Sequence, residues 1–194
     1  MSKNRLEAFS DGVIAILITI MVLELRAPHG GELSSLRPVV PSLLSYVLSF
    51  LYLGIYWNNH HHLLHATERI NGTILWANLH LLFWLSLIPF TMSWLAEEPR
   101  APFPAAAYGG VLFAAAIAYT ILARCIIAVQ GKESVLARAM GRDRKGKISL
   151  ALYLIAIPLA FVRTWLADAI YVIIAIIWFV PDRRIERRLN HDHH

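Results

Sequence analysis

Long apolar runs alternate along this chain with short segments that hold almost all of its charge. A helix needs about 20 mostly apolar residues to cross a hydrocarbon core of about 30 Å. Six runs meet or approach that length, at residues 8–25, 39–59, 73–95, 103–129, 148–163 and 167–181. Lipid offers nothing to an unpaired backbone amide, so each run is expected to be a helix. The last two are short, and Arg163, Trp165 and Asp168 between them suggest a hairpin anchored at the interface by aromatic and snorkelling side chains. Pro89 and Pro158 fall inside the third and fifth runs, where a kink or local re-pairing is expected. The pattern predicts an all-α integral membrane protein, with residues 1–194 forming one six-helix transmembrane domain.

Composition excludes a water-soluble domain. Hydrophobic residues are 57% of the chain, charged residues 16%, and the mean hydropathy is +0.53, against about 45–50% and 25% in soluble domains. The single cysteine, Cys125, excludes an intramolecular disulfide framework. Glu7 and Asp11 interrupt the flank of the first run and no small-residue cleavage site follows it, so that run is expected to stay as a permanent helix.

Charge then orients the bundle. One set of alternate loops and ends carries Lys3, Arg5, Arg69, Lys132, Arg138, Arg142, Arg144, Lys145, Lys147, Arg183, Arg184, Arg187 and Arg188. The other carries Arg26, Arg37, Arg100 and Arg163. The positive-inside rule puts both termini in the cytoplasm, and a cell membrane is the expected location. Because the basic residues lie where topology requires them, the pI of about 9.6 argues for no nucleic-acid partner. The small residues Ala105–Ala107, Gly109, Gly110 and Ala114–Ala116 in the fourth run predict close helix packing.

Polar groups inside membrane segments are costly and mark candidate sites. At 100° per residue, Arg5, Phe9, Gly12, Ile16, Ile20 and Leu23 form one stripe of the first helix. Asp11 lies on another face with Ala15, Ile18 and Val22. A second group, Trp57-Asn58-Asn59-His60-His61-His62 and then His65, closes the second run, and Asn71, Asn78 and His80 lead into the third. Buried amides and imidazoles need partners. One hydrogen-bonded cluster is therefore expected, joining Arg5, Ser10 and Asp11 to His60 or His61, Asn78 and His80. His61 and His65 have the i,i+4 spacing of metal ligands, but only Glu68 is near enough to add to them, so no metal site is assigned. No phosphate loop, nucleophile elbow, zinc-protease motif or dinucleotide fingerprint is present, and no enzyme activity is expected. The Thr-Val-Gly-Tyr-Gly filter of conventional potassium channels is also absent.

The opening Arg5-x-x-x-Phe9-Ser10-Asp11-Gly12-Val13-Ile14-Ala15-Ile16 resembles the signature of the endolysosomal-type potassium channel family. Trp57-Asn58-Asn59-His60-His61-His62, Leu75-Trp76-Ala77-Asn78-Leu79 and Ser86-Leu87-Ile88-Pro89-Phe90 carry the likeness through the third run. Animal members hold two six-helix units, so this single unit is similar to the bacterial members. The resemblance implies a homotetramer in the lipid bilayer with helix 1 lining a central pore. It implies a hydrophobic constriction at Ile16, Ile20 and Leu23, with Thr19 as a polar neighbour, passing monovalent cations with weak selectivity for potassium over sodium and needing no cofactor. Two other classes stay open on the residues alone. One is a His-ligated metalloprotein or haem enzyme using His60, His61, His62, His65 and His80. The other is a proton-coupled carrier using Asp11 and the histidines.

Overall fold

The structure, a computed structural model, describes residues 2–131, 134, 136–137 and 144–179. Of the basic residues that orient the chain, Lys132, Arg138, Arg142 and those beyond residue 179 lie outside the described residues, as does the end of the 167–181 run.

Helix α1 spans Lys3–Leu23, beginning five residues before the apolar run because its polar first turn continues the same hydrogen-bond ladder. The chain then turns through Gly30, whose φ of +111° is a conformation that residues with a side chain rarely adopt. A 3-10 stretch, Leu33–Val39, leads into α2, Val40–His65. The run expected to close at residue 59 thus continues as helix, with the whole histidine group on it. Hydropathy marks the hydrocarbon thickness, whereas the helix ends where its backbone bonds do.

Asn71 caps the next helix, accepting from the backbone N–H of Ile74 at 2.9 Å. The third run is two helices, α3 (Gly72–Ser86) and α4 (Ile88–Glu97). Pro89 has no N–H, and its ring crowds the carbonyl four residues earlier. Leu87 bonds instead to the Trp84 carbonyl, at 3.2 Å. Helix α5 spans Pro102–Gln130, α6 Arg144–Ala160 and α7 Thr164–Phe179. Pro158 falls two residues before the end of α6, and the tight turn after it is closed by Arg163 N–H on the Leu159 carbonyl at 2.9 Å.

Among the described residues, four helical stretches, Lys3–Leu23, Leu33–His65, Gly72–Glu97 and Pro102–Gln130, are long and apolar enough to cross a membrane. Helices α6 and α7, with 17 and 16 described residues, rise about 24–26 Å.

Helix α1 packs on α2, α3 and α4; α5 packs on α3, α4, α6 and α7. The seam of α2, α5 and α7 holds a knot of buried tyrosines. Ser49 Oγ and Tyr108 OH lie 2.9 Å apart, Tyr52 OH donates to the Tyr171 carbonyl at 2.6 Å, and Tyr171 OH donates to the Ala105 carbonyl at 3.0 Å. Tyr171 reaches α5 only because residue 109 is glycine: a Cβ there would collide with its phenol. Part of the small-residue run on α5 thus accommodates a ring as well as a neighbouring backbone.

Candidate functional site

Helix α1 is packed by one face. Leu6, Ser10, Ile14, Leu17 and Met21 recur every three or four residues and are buried. On the opposite side Arg5, Phe9, Gly12 and Thr19 are exposed, with Ile16 at 58%, Ile20 at 41% and Leu23 at 80% exposure. The stripe read from periodicity is the face that the subunit leaves bare. Gly12 adds to its smoothness, since a Cβ there would meet nothing within 4 Å. The Thr19 hydroxyl donates to the Ile16 carbonyl at 2.8 Å, which leaves its lone pairs as the only side-chain acceptor in the stripe between Gly12 and Leu23. The second face is not uniform: Ala15 and Val22 are exposed with the stripe, while Ile18 is half-buried against the core.

Three helices meet at a buried polar triad. Asn78 Nδ2 donates to Ser10 Oγ at 2.9 Å, and the Ser10 hydroxyl donates in turn to the Leu6 carbonyl at 2.9 Å. The remaining amide oxygen of Asn78 lies 2.7 Å from His60 Nε2. A carbonyl oxygen only accepts, so Nε2 carries the proton. All three residues are buried, and the triad fixes α1 against α2 and α3 at a single register. Further bonds hold α1 near both ends. Trp57 Nε1 donates to Asp11 Oδ1 at 3.0 Å, Lys3 Nζ to the His65 carbonyl at 2.7 Å, and Ser93 Oγ to Glu24 Oε2 at 3.1 Å.

The single cluster expected from the sequence therefore divides. Arg5 is exposed on the bare stripe. His61 is exposed and stacks between Trp57 and His65, with ring centroids 6.2 and 6.1 Å away. His80, two residues after Asn78 and so about 200° around the helix, is exposed and accepts from Trp84 Nε1 at 2.9 Å. The five histidines point to three different surroundings, and no group of three metal-ligating side chains converges among the described residues.

Sequence reasoning missed the tyrosine knot. Ser49, Tyr52, Tyr108 and Tyr171 are up to 122 residues apart, and a tyrosine in an apolar run reads as a core ring or an interface anchor. The one local signal was Gly109 within the small-residue run, which has a bulky partner across the helix pair.

Comparison with known proteins extends the likeness over the whole chain. Residues 5–89, which contain the triad and the stripe, match the family described as endosomal/lysosomal potassium channel TMEM175. A potassium channel of Chryseobacterium sp. is 50% identical over 98% of this chain and 99% of its own length. The crystal structure of a lysosomal potassium-selective channel TMEM175 homolog from Chamaesiphon minutus superposes with a TM-score of 0.79 at 30% identity. It covers 92% of this chain and 96% of that one. An endosomal/lysosomal proton channel TMEM175 of Danio rerio is 30% identical over 67% of this chain, which spans only 25% of that protein. Apolar helices of membrane length, a buried polar triad that fixes the first of them, and identity to a bacterial channel along nearly the whole length converge: this chain is a multi-pass membrane protein of the endosomal/lysosomal potassium channel TMEM175 family, whose members are ion channels and not enzymes.

Proposed function

We propose that the chain forms a homotetrameric potassium-permeable channel in which α1 of each subunit lines a central pore. The observation that carries this reading is the bare apolar face of a helix whose other face is locked into the bundle by buried hydrogen bonds. A helix pinned in this way presents the same residues at the axis in every subunit. Ile16, Ile20 and Leu23 would then form successive rings about 10 Å deep in total, with Thr19 supplying the one hydroxyl beside them. Four branched side chains around an axis offer a hydrated ion no ligand in exchange for its water. Such a ring acts as a barrier by excluding water and sets conductance through its width. Selectivity for potassium over sodium is weak on this design, because no fixed array of carbonyls replaces the hydration shell. The two shorter helices complete six spans per subunit through interfacial anchoring, both termini face the cytoplasm, and the protein resides in the cell membrane. No resident cofactor is required.

Purified protein reconstituted in liposomes under potassium, sodium or proton gradients tests the reading. Potassium flux exceeding sodium flux by a modest factor, with no stoichiometric coupling between ions, is the expected result. Flux of protons alone, or obligatory exchange of one ion for another, overturns it.

A further inference from the structure

The buried bond between α2 and α3 also fixes their relative depth. His60 Nε2 and Asn78 Oδ1 lie 2.7 Å apart, so the two residues sit at one level of the bundle. Only residues 66–71 join the two helices, which run in opposite directions from that connection. Two residues back from His60 and two forward from Asn78 therefore move the same way, about 3 Å farther from the connection. Each step also turns about 200° around its helix. The positions reached are Asn58 and His80, and both are exposed. His62 and Trp76 stand in the same relation on the near side of the triad, again exposed and again level with each other.

Asn58 and His80 are also complementary. Trp84 Nε1 donates to His80 Nε2 at 2.9 Å, so the neutral imidazole carries its proton on Nδ1. That N–H and the side-chain amide of Asn58 have no partner among the described residues. Asn58 Oδ1 is the acceptor that Nδ1 lacks. Both groups lie about two turns inside their helices, where a polar side chain turned to lipid is costly. Farther from the connection, Gly54 and Phe83 lie about 9 and 8 Å from the level of the triad. A Cβ on Gly54 would meet nothing within 4 Å, which leaves a gap in the outer face of α2. Exposed Phe83 is a knob of matching height on α3. Asn58 and His80 cannot meet within one chain, because each is turned about 200° from the contact that joins their helices. Two copies can bring them together. Around an axis along the membrane normal all copies share one depth, and each offers one face to one neighbour and a different face to the other.

We propose that the outer face of α2 docks on the outer face of α3 in a second copy of this chain. Asn58 Oδ1 accepts from Nδ1 of the partner subunit's His80, and the partner's Phe83 seats over Gly54. This interface rests on the homotetramer reading and says which two faces build it. The test uses the full chain in membranes, with Cys125→Ala so that every thiol is an introduced one. Asn58→Cys combined with His80→Cys, oxidised by copper phenanthroline, should give a reducible ladder up to tetramer on denaturing gels. Either cysteine alone should leave the chain monomeric on the same gels. Gly54→Trp, which fills the gap without touching its own subunit, should keep its melting temperature but run mainly as monomer in size-exclusion chromatography. If that variant does not fold, the cysteine pair decides alone. Amine-reactive cross-linking of the unaltered chain reports the subunit number in parallel. Monomers alone in that control overturn the homotetramer reading and this interface together. Tetramers in the control with no ladder from the cysteine pair, a ladder from either single cysteine, or a tetrameric Gly54→Trp protein leave the homotetramer standing and overturn the interface.

Discussion

The two faces of α1 differ in how they are engaged: the packed face sets Ser10 among Leu6, Ile14, Leu17 and Met21, and the bare face carries Ile16, Ile20 and Leu23. Ser10, a hydroxyl, is completely buried, while Ile16, four carbons of pure hydrocarbon side chain, stands 58% exposed within the subunit. In water that distribution would be unstable. In a bilayer the driving force changes, because lipid solvates apolar side chains as well as a protein core does, and helices associate through packing and hydrogen bonds. The face of α1 that carries Ser10 is therefore the one that belongs to the subunit, and the face that carries Ile16, Ile20 and Leu23 is left for lipid or for other copies of the chain. Ser10 and Asn78 govern where the helix sits; Ile16, Ile20 and Leu23 govern what it presents.

The largest effect should come from breaking the triad on the packed face. Asn78→Leu removes the partner of both Ser10 and His60 and leaves buried polar atoms unmatched, at about 1–3 kcal/mol each. Loss of most assembled protein in size-exclusion chromatography is the expected outcome, with a lowered melting temperature for whatever survives. A monodisperse, wild-type-like Asn78→Leu protein would show that the triad does not set the position of α1.

Next come Ile16, Ile20 and Leu23, the proposed pore-lining residues. Ile16→Asn, Ile20→Asn and Leu23→Asn should each raise potassium flux several-fold and narrow the gap between potassium and sodium, since an amide both widens a ring and admits water to it. Their melting temperatures should stay near wild type, because the altered side chains touch little of their own subunit. If all three leave flux unaltered, the bare face is directed at lipid and the pore lies elsewhere.

How far the sequence alone reaches is clear from these same residues. The bare stripe was legible because a helix of constant pitch converts spacing directly into direction. The break at Leu87 was foreshadowed by Pro89, whose missing N–H is a local property. Helix ends were less legible: Lys3–Glu7 and His60–His65 are helical although they are polar, since hydropathy reports solvent and not backbone bonding. Which polar groups pair was the least legible. Asn78 and His80 look equivalent in sequence, yet a two-residue offset sends one into the core and the other to Trp84. The tyrosine knot depends on contacts between helices far apart in the chain, and no local pattern encodes it.

A smaller effect should separate charge from hydrogen bonding at Asp11. Trp57 needs only an acceptor there, and Asn supplies one. Asp11→Ala should lower the melting temperature by an amount corresponding to about 1 kcal/mol, as for an ordinary hydrogen bond, while Asp11→Asn should retain most of it. Conductance measured on the Asn variant then isolates the carboxylate charge. Identical melting of Asp11→Ala and wild type would mean that the bond to Trp57 contributes nothing to holding α1.

The smallest effect on flux should be at Ile18, which shares the middle of α1 with Ile16 and Ile20 but is half-buried against the bundle. Its substitution separates what the helix presents from how it is held. Truncating a fully buried isoleucine to alanine costs about 2–5 kcal/mol, part of it from the cavity left behind. At a half-buried position in a bilayer, lipid fills some of that space, so a loss of about 1 kcal/mol is expected. Ile18→Ala should therefore melt a few degrees lower and yield somewhat less assembled protein, while flux per reconstituted protein stays as before. Ile20→Ala, two residues along and on the bare face, should show the reverse, with unaltered melting and raised flux. The pair is measured in parallel, by thermal melting in detergent and by flux normalised to reconstituted protein. Raised flux in Ile18→Ala without a change in Ile20→Ala would rotate the pore-facing side of α1 by well over 100° from the stripe, and the division of labour between its faces would have to be redrawn.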